Sequence, residues 1–114
     1  MGKSWDVAIA ERETELGAPS VARMARIFVT DAKAQLAIIA AAVAERNLAT
    51  ARRAAHDLSA NAESLCFMEL RQIAQAFESA CSACDQSSAL ALQKNLAPLV
   101  DICVLLLRAR YALT

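Results

Sequence analysis

Apolar residues recur along this chain in steps of three and four, and they do so four times. Val21, Met24, Phe28, Ala32, Leu36 (or Gln35), Ile39 and Val43 form one such stripe. Leu48, Ala51, Ala55, Leu58, Ala62 and Leu65 form a second. A third runs Leu70, Ile73, Phe77, Ala80, Cys84, and a fourth Ala89, Leu92, Leu96, Leu99, Cys103, Leu106. That spacing keeps one face of a helix on a core and predicts four long amphipathic helices. A shorter helix precedes them, capped by Ser4 and running to Leu16. Gly17-Ala18-Pro19 ends it, and Pro19 suits the first position of the next helix. Asn47 marks the next break, the third helix weakens near Leu65-Cys66, and Asp85-Gln86-Ser87-Ser88 separates the last two helices. Pro98 lies inside the last stripe. Its ring removes one backbone hydrogen bond, which predicts a kink or a later start there. Connections this short make antiparallel neighbours. The expected fold is therefore all-α: one domain over residues 1–114, an up-down-up-down four-helix bundle with the short first helix across one end.

Composition narrows the class. Hydrophobic residues make up 57% of the 114, but aromatics only 4%, with two glycines and two prolines. Alanine-rich close packing of helices fits that balance and a turn-rich β fold does not. Twelve basic and twelve acidic residues cancel and are interspersed. With no basic stripe and no aromatic platform, no nucleic-acid partner is expected. The start, Met1-Gly2-Lys3-Ser4-Trp5-Asp6, lacks the apolar stretch of an export signal. The longest apolar runs, Leu36 to Ala44 and Ile102 to Leu107, are too short to span a bilayer. A cytoplasmic location with free thiols is the expectation, and a single copy of the chain.

One residue stands out chemically. His56 is the only histidine. It falls one position past Ala55, about 100° around the axis from the apolar stripe, so it is placed at the wet edge of its helix. Arg52 precedes it by one turn, and Ser59, Ala60 and Glu63 follow. An imidazole on a rigid helix, among small neighbours and near Arg52 and Arg53, is well placed for phosphate chemistry.

Cys81-Ser82-Ala83-Cys84 has the spacing of half a zinc site. There is no second pair, since Cys66 and Cys103 are scattered singles. A redox pair would want its first thiol at a helix start. Packing is the expected role, with Cys84 and Cys103 on seams and no metal on this chain.

The run Arg52-Arg53-Ala54-Ala55-His56-Asp57-Leu58-Ser59-Ala60, with Ala62 and Leu65-Cys66 beyond, resembles the histidine-containing phosphotransfer (HPt) family. There the phosphorylated histidine is followed by x-Leu-Lys-Gly, small residues, then Leu-Gly. Leu16-Gly17-Ala18-Pro19, Phe28-x-x-Asp31-Ala32, Leu36, Asn47-Leu48 and Phe77-Glu78 resemble other parts of that family, so the likeness runs from about Trp5 to Tyr111. Three positions depart from it: Ser59 replaces the lysine, Ala60 the glycine after it, and Cys66 the later glycine.

The resemblance implies a phosphorelay carrier in two-component signalling. His56 would take a phosphoryl group from the aspartate of one response-regulator receiver domain, or of a hybrid histidine kinase, and pass it to another. The receiver would bring the Mg²⁺, so no cofactor is expected on this chain. Ala55, Ser59, Ala60 and Glu63 would lie in the contact patch. Serine offers one neutral hydrogen bond where lysine offers charge, which leaves Arg52 or Arg53 to supply it. Two alternatives stand beside this reading: an HPt-like adaptor that docks receivers without being phosphorylated, and a structural or metal-binding bundle.

Overall fold

The computed structural model describes residues 4–113, and among them it contains helices and no strands. The helices are α1 (Trp5–Leu16), α2 (Ala18–Ala44), α3 (Leu48–Ser64), α4 (Met68–Ser82) and α5 (Gln86–Tyr111). The start signals act as expected. Ser4 Oγ accepts from Val7 N–H at 3.4 Å, Asn47 Oδ1 from Thr50 N–H at 3.2 Å, and Asp85 Oδ1 from Ser88 N–H at 3.1 Å. Each side chain satisfies one of the donors a helix start leaves open. Gly17, at φ 89°, turns the chain between α1 and α2 in a conformation L side chains rarely adopt.

The three turns between α2 and α5 share one design. The residue after each helix end is left-handed: Arg46 at φ 58°, Cys66 at 64°, Cys84 at 56°. The following residue then donates back five positions, Asn47 to Ala42 O at 2.8 Å, Phe67 to Ala62 O and Asp85 to Ala80 O at 2.9 Å each. This is the Schellman arrangement, built three times without glycine.

In the bundle α2 packs on α3, α3 on α4, α4 on α5, and α5 closes the ring on α2. The core is one cluster around Phe28, Ile39, Leu58, Leu65, Leu70, Phe77, Leu96 and Leu107. Short α1 is strapped across one end. Trp5 stacks on Phe67 with ring centroids 5.2 Å apart and donates its indole N–H to Leu65 O at 2.8 Å. Its far end is held by Glu13, which accepts from Arg110 at 2.6 Å and from Tyr111 Oη at 2.8 Å. The Arg110 guanidinium, and then the Tyr111 hydroxyl, hold the Glu13 carboxyl below its ordinary pKa. Burial, with Glu13 beside it, pushes the Tyr111 phenol up to about 12.

Some expectations change. Leu106 is 39% exposed rather than buried, and the inner face of α5 near its end is Val100, Cys103, Val104 and Leu107. The stripe from Ala89 to Leu106 has a strict 3.5-residue period, whereas a straight helix advances by 3.6 and drifts about 20° per heptad. Over 26 residues the core-facing side therefore moves on by one position. Leu36, Ile73, Leu99 and Met24 are half-buried, at the flanks of the core. Cys84 is exposed in the turn after α4, and Cys81 takes the seam instead. Helix α5 starts at Gln86 and runs unbroken through Pro98, whose ring lies on the exposed side.

Two helices, α2 and α5, are long and apolar enough by composition to cross a bilayer, each with an 18-residue stretch of mean hydropathy 1.6. Both supply the core with a buried stripe, yet only 28% of each stretch is buried. Their outer faces mix apolar residues with charges, Arg23, Arg26, Asp31 and Lys33 on α2 and Lys94 and Asp101 on α5.

Candidate functional site

His56 projects from the middle of α3 toward α4. Helix α3 buries Ala51, Ala54, Ala55, Ser59 and Ala62, with Leu58 as the one large side chain among them. Small residues at a contact let two helix axes come close. A side chain at the edge of α3 can therefore reach one at the edge of α4. The partner is Glu78, one position past buried Phe77 as His56 is one past buried Ala55. Glu78 Oε1 lies 3.0 Å from His56 Nδ1. The imidazole side chain is 70% exposed and the carboxylate only 18%.

The chemistry of the pair fixes the ring. An ionised carboxylate only accepts, so the Nδ1 facing it carries the hydrogen. The neutral ring then has its lone pair on Nε2, the nitrogen turned away from the protein partner. A positioned carboxylate that holds one imidazole nitrogen protonated leaves the other as a nucleophile.

Around the pair lies an open groove of about 750 Å³ lined by Arg52, Ser59, Ala60 and Glu63 of α3 and by Gln75, Ser79, Ser82 and Ala83 from α4 and its end. Arg52 is its one arginine, and Glu63 leans toward Arg71 at 3.9 Å. Gln75, Ser79 and Ser82 are exposed, so apart from Glu78 the far wall is polar and uncharged.

The structure sorts the residues singled out from the sequence. His56, Arg52, Ser59, Ala60 and Glu63 share the groove. Arg53 is exposed but lies outside it. Ala55 is sealed in the core and presents no surface to a partner, because it is a seam residue of α3. Ser59 is only 6% exposed and forms part of the groove floor rather than a raised contact. The α4 wall was not foreseen. Glu78 could have been found from its place beside the Phe77 seam, but the pairing of the α3 and α4 edges depends on register between helices, which periodicity does not set.

The four cysteines are free thiols. Burial pushes the Cys103 thiol up to about 12 and raises Cys81 as well. Among the described residues no three of His, Cys, Asp or Glu come together in a group that could hold a metal ion.

A second cavity, about 590 Å³, opens beneath α1 between Trp5, Phe67, Leu70, Leu99 and Ile102. It is apolar and distant in the fold from His56.

Among known families, the model described as Hpt domain matches residues 23–110, which includes the groove and the four bundle helices except for the first turn of α2 and the last residue of α5. No curated protein and no solved structure matches this chain.

Proposed function

The chain belongs to the Hpt domain family, carriers in two-component phosphorelays, and from that premise we propose that His56 is its phosphoacceptor. The observation that carries the proposal is the His56–Glu78 contact at 3.0 Å on a ring that stays 70% exposed. Nε2 attacks the phosphorus of a receiver aspartyl phosphate. The N–P bond forms as the acyl phosphate P–O bond breaks, and the receiver carboxylate leaves with its electron pair. Nδ1 keeps its hydrogen throughout. The phosphorylated ring is then cationic in its imidazole part, and the Glu78 carboxylate beside Nδ1 stabilises that charge. The reverse attack by a second receiver's aspartate returns the ring to its starting state.

The receiver supplies the Mg²⁺ and most of the stabilisation of the phosphoryl oxygens. On this chain the remaining cation is Arg52, one turn before His56 on the groove wall. Ala60 and Glu63 form the exposed α3 surface beyond the histidine, with Ser59 below them. A receiver docking here meets a polar groove on one side and the flank of α3 on the other.

The adaptor reading has one observation in its favour: the family's lysine position holds Ser59, which is nearly buried and uncharged. One experiment separates the two. Wild type and His56→Gln are mixed with receiver domains carrying labelled phosphate. Label that passes to wild type alone, and is acid-labile and base-stable, supports the carrier. Binding without label in wild type supports the adaptor. Equal labelling of the His56→Gln variant rules out His56 as the acceptor.

A further inference from the structure

The outer face of α5 is apolar along most of its length and carries two charges that have no ion-pair partner among the described residues. Leu90, Lys94, Ala97, Asp101 and Leu105 follow one another in steps of three and four, all exposed. They fall within about 80° of one another around the axis, about 120° from the buried Leu96, Val100 and Leu107. Leu105 is 66% exposed and Leu90 45%. Lys94 and Asp101 are about 10 Å apart along the helix, too far to pair with each other. The positions three and four away from each are Leu90, Ala91, Ala97, Pro98, Val104 and Leu105, none of them charged. Neither residue joins an ion pair among the described residues.

This face is complementary to itself. Turned about a two-fold axis midway between Ala97 and Pro98, Lys94 of one helix stands opposite Asp101 of the other, and Leu90 stands opposite Leu105. Both pairings occur twice by symmetry, as an isologous interface requires. Ala97 and Pro98 at the centre are small or short and let the axes approach.

We propose that α5 is a homodimer interface, packing antiparallel on α5 of a second copy of this chain. A bilayer is the poorer occupant, since it would have to take Lys94 and Asp101 out of water unpaired. The face lies away from the phosphoacceptor: α5 packs on α2 and α4, and α3 sits across the ring from it. Both copies of the His56 groove stay open in the dimer. The inference rests on α5 alone and stands or falls independently of the role of His56.

The test is molar mass by sedimentation velocity across the micromolar range. Wild type should dimerise. Lys94→Asp and Asp101→Lys each put like charges opposite one another twice, and each should weaken self-association by about tenfold or more. Mixed in equal amounts, the two variants should recover the dimer, because in the mixed pair every reversed residue meets an opposite charge. A wild type that stays monomeric throughout overturns the proposal. So do single variants that dimerise as wild type does, or a mixture no tighter than its components. Flotation of monomeric wild type with phosphatidylcholine–phosphatidylglycerol vesicles would assign the face to a membrane surface instead.

Discussion

Removing the Glu78 side chain should slow phosphorylation of His56 without unfolding the protein. With His56 as the proposed phosphoacceptor, the carboxylate has two roles: it keeps the hydrogen on Nδ1, and it faces the charge that would develop on phosphorylation of Nε2. A hydrogen bond to a charged group contributes about 1.5–3 kcal/mol. The ring is 70% exposed, which puts this contact at the lower end, about 1.5 kcal/mol. That corresponds to about tenfold in rate for Glu78→Ala. Glu78→Gln keeps an acceptor at the same reach but loses the charge, so its loss should be smaller, about threefold. The assay is rapid-quench transfer of label from a phosphorylated receiver, with receiver varied to saturation. The maximal rate should fall and the half-saturating concentration should not, since Glu78 is mostly covered and offers a receiver little surface. The position of the phosphate gives a second readout. Wild type should carry it on Nε2 alone, whereas Glu78→Ala should show a fraction on Nδ1 by ³¹P NMR. Wild-type rates in Glu78→Ala, with a single Nε2 product, would refute the positioning role.

Four further outcomes are expected. Phe77→Ala, at a fully buried position, should destabilise the bundle by about 3–5 kcal/mol in urea unfolding. Cys84→Gly should raise stability by about 1 kcal/mol, because an exposed residue at φ 56° gains from losing its Cβ; an unchanged urea midpoint would count against strain in that turn. Glu13→Gln should lower stability near neutral pH, and the gap to wild type should close as pH falls through the carboxylate range. The folded-state pKa of Glu13 is depressed by Arg110 and Tyr111, so its contribution is present above the unfolded value and lost on protonation. Arg52→Ala should slow phosphoryl transfer with unchanged far-UV circular dichroism, and an unaltered rate would mean the charge on the phosphoryl group comes from the receiver.

Much of this molecule was legible in the residues because the information is local. Ser4, Asn47 and Asp85 cap helices where short polar side chains precede apolar periodicity, and Gly17 turns where only it does so cheaply. His56 was readable at the edge of its helix because position 55 is so plainly in the seam. What failed was phase over distance. The stripe ending in Leu106 fits a heptad, and the small mismatch with a real helix accumulates until the wrong leucine faces the core. Cys84 failed for another reason: the helix ends before it, and a left-handed residue in a turn has no seam to belong to. Ala55 and Ser59 were assigned to a contact surface by their nearness to His56 in sequence, but one helix position is enough to carry a side chain from solvent to core. Glu78 belongs to the class of features that only tertiary register reveals.

The order of packing around the ring also bears on how this chain reaches its native state. Three of the four bundle interfaces join helices that follow one another in sequence, each pair connected by a turn that stops one helix and starts the next through hydrogen bonds of its own. Such hairpins can form early, with little loop-closure entropy to overcome. The α2–α5 interface, the Trp5 contacts to Phe67 and Leu65, and the Glu13–Arg110–Tyr111 clasp join distant segments, the clasp across 97 and 98 positions. Folding should therefore proceed quickly through the α3–α4 hairpin, so that the histidine and its carboxylate meet before the ring closes. Changes in the clasp should speed unfolding while leaving the folding rate nearly untouched.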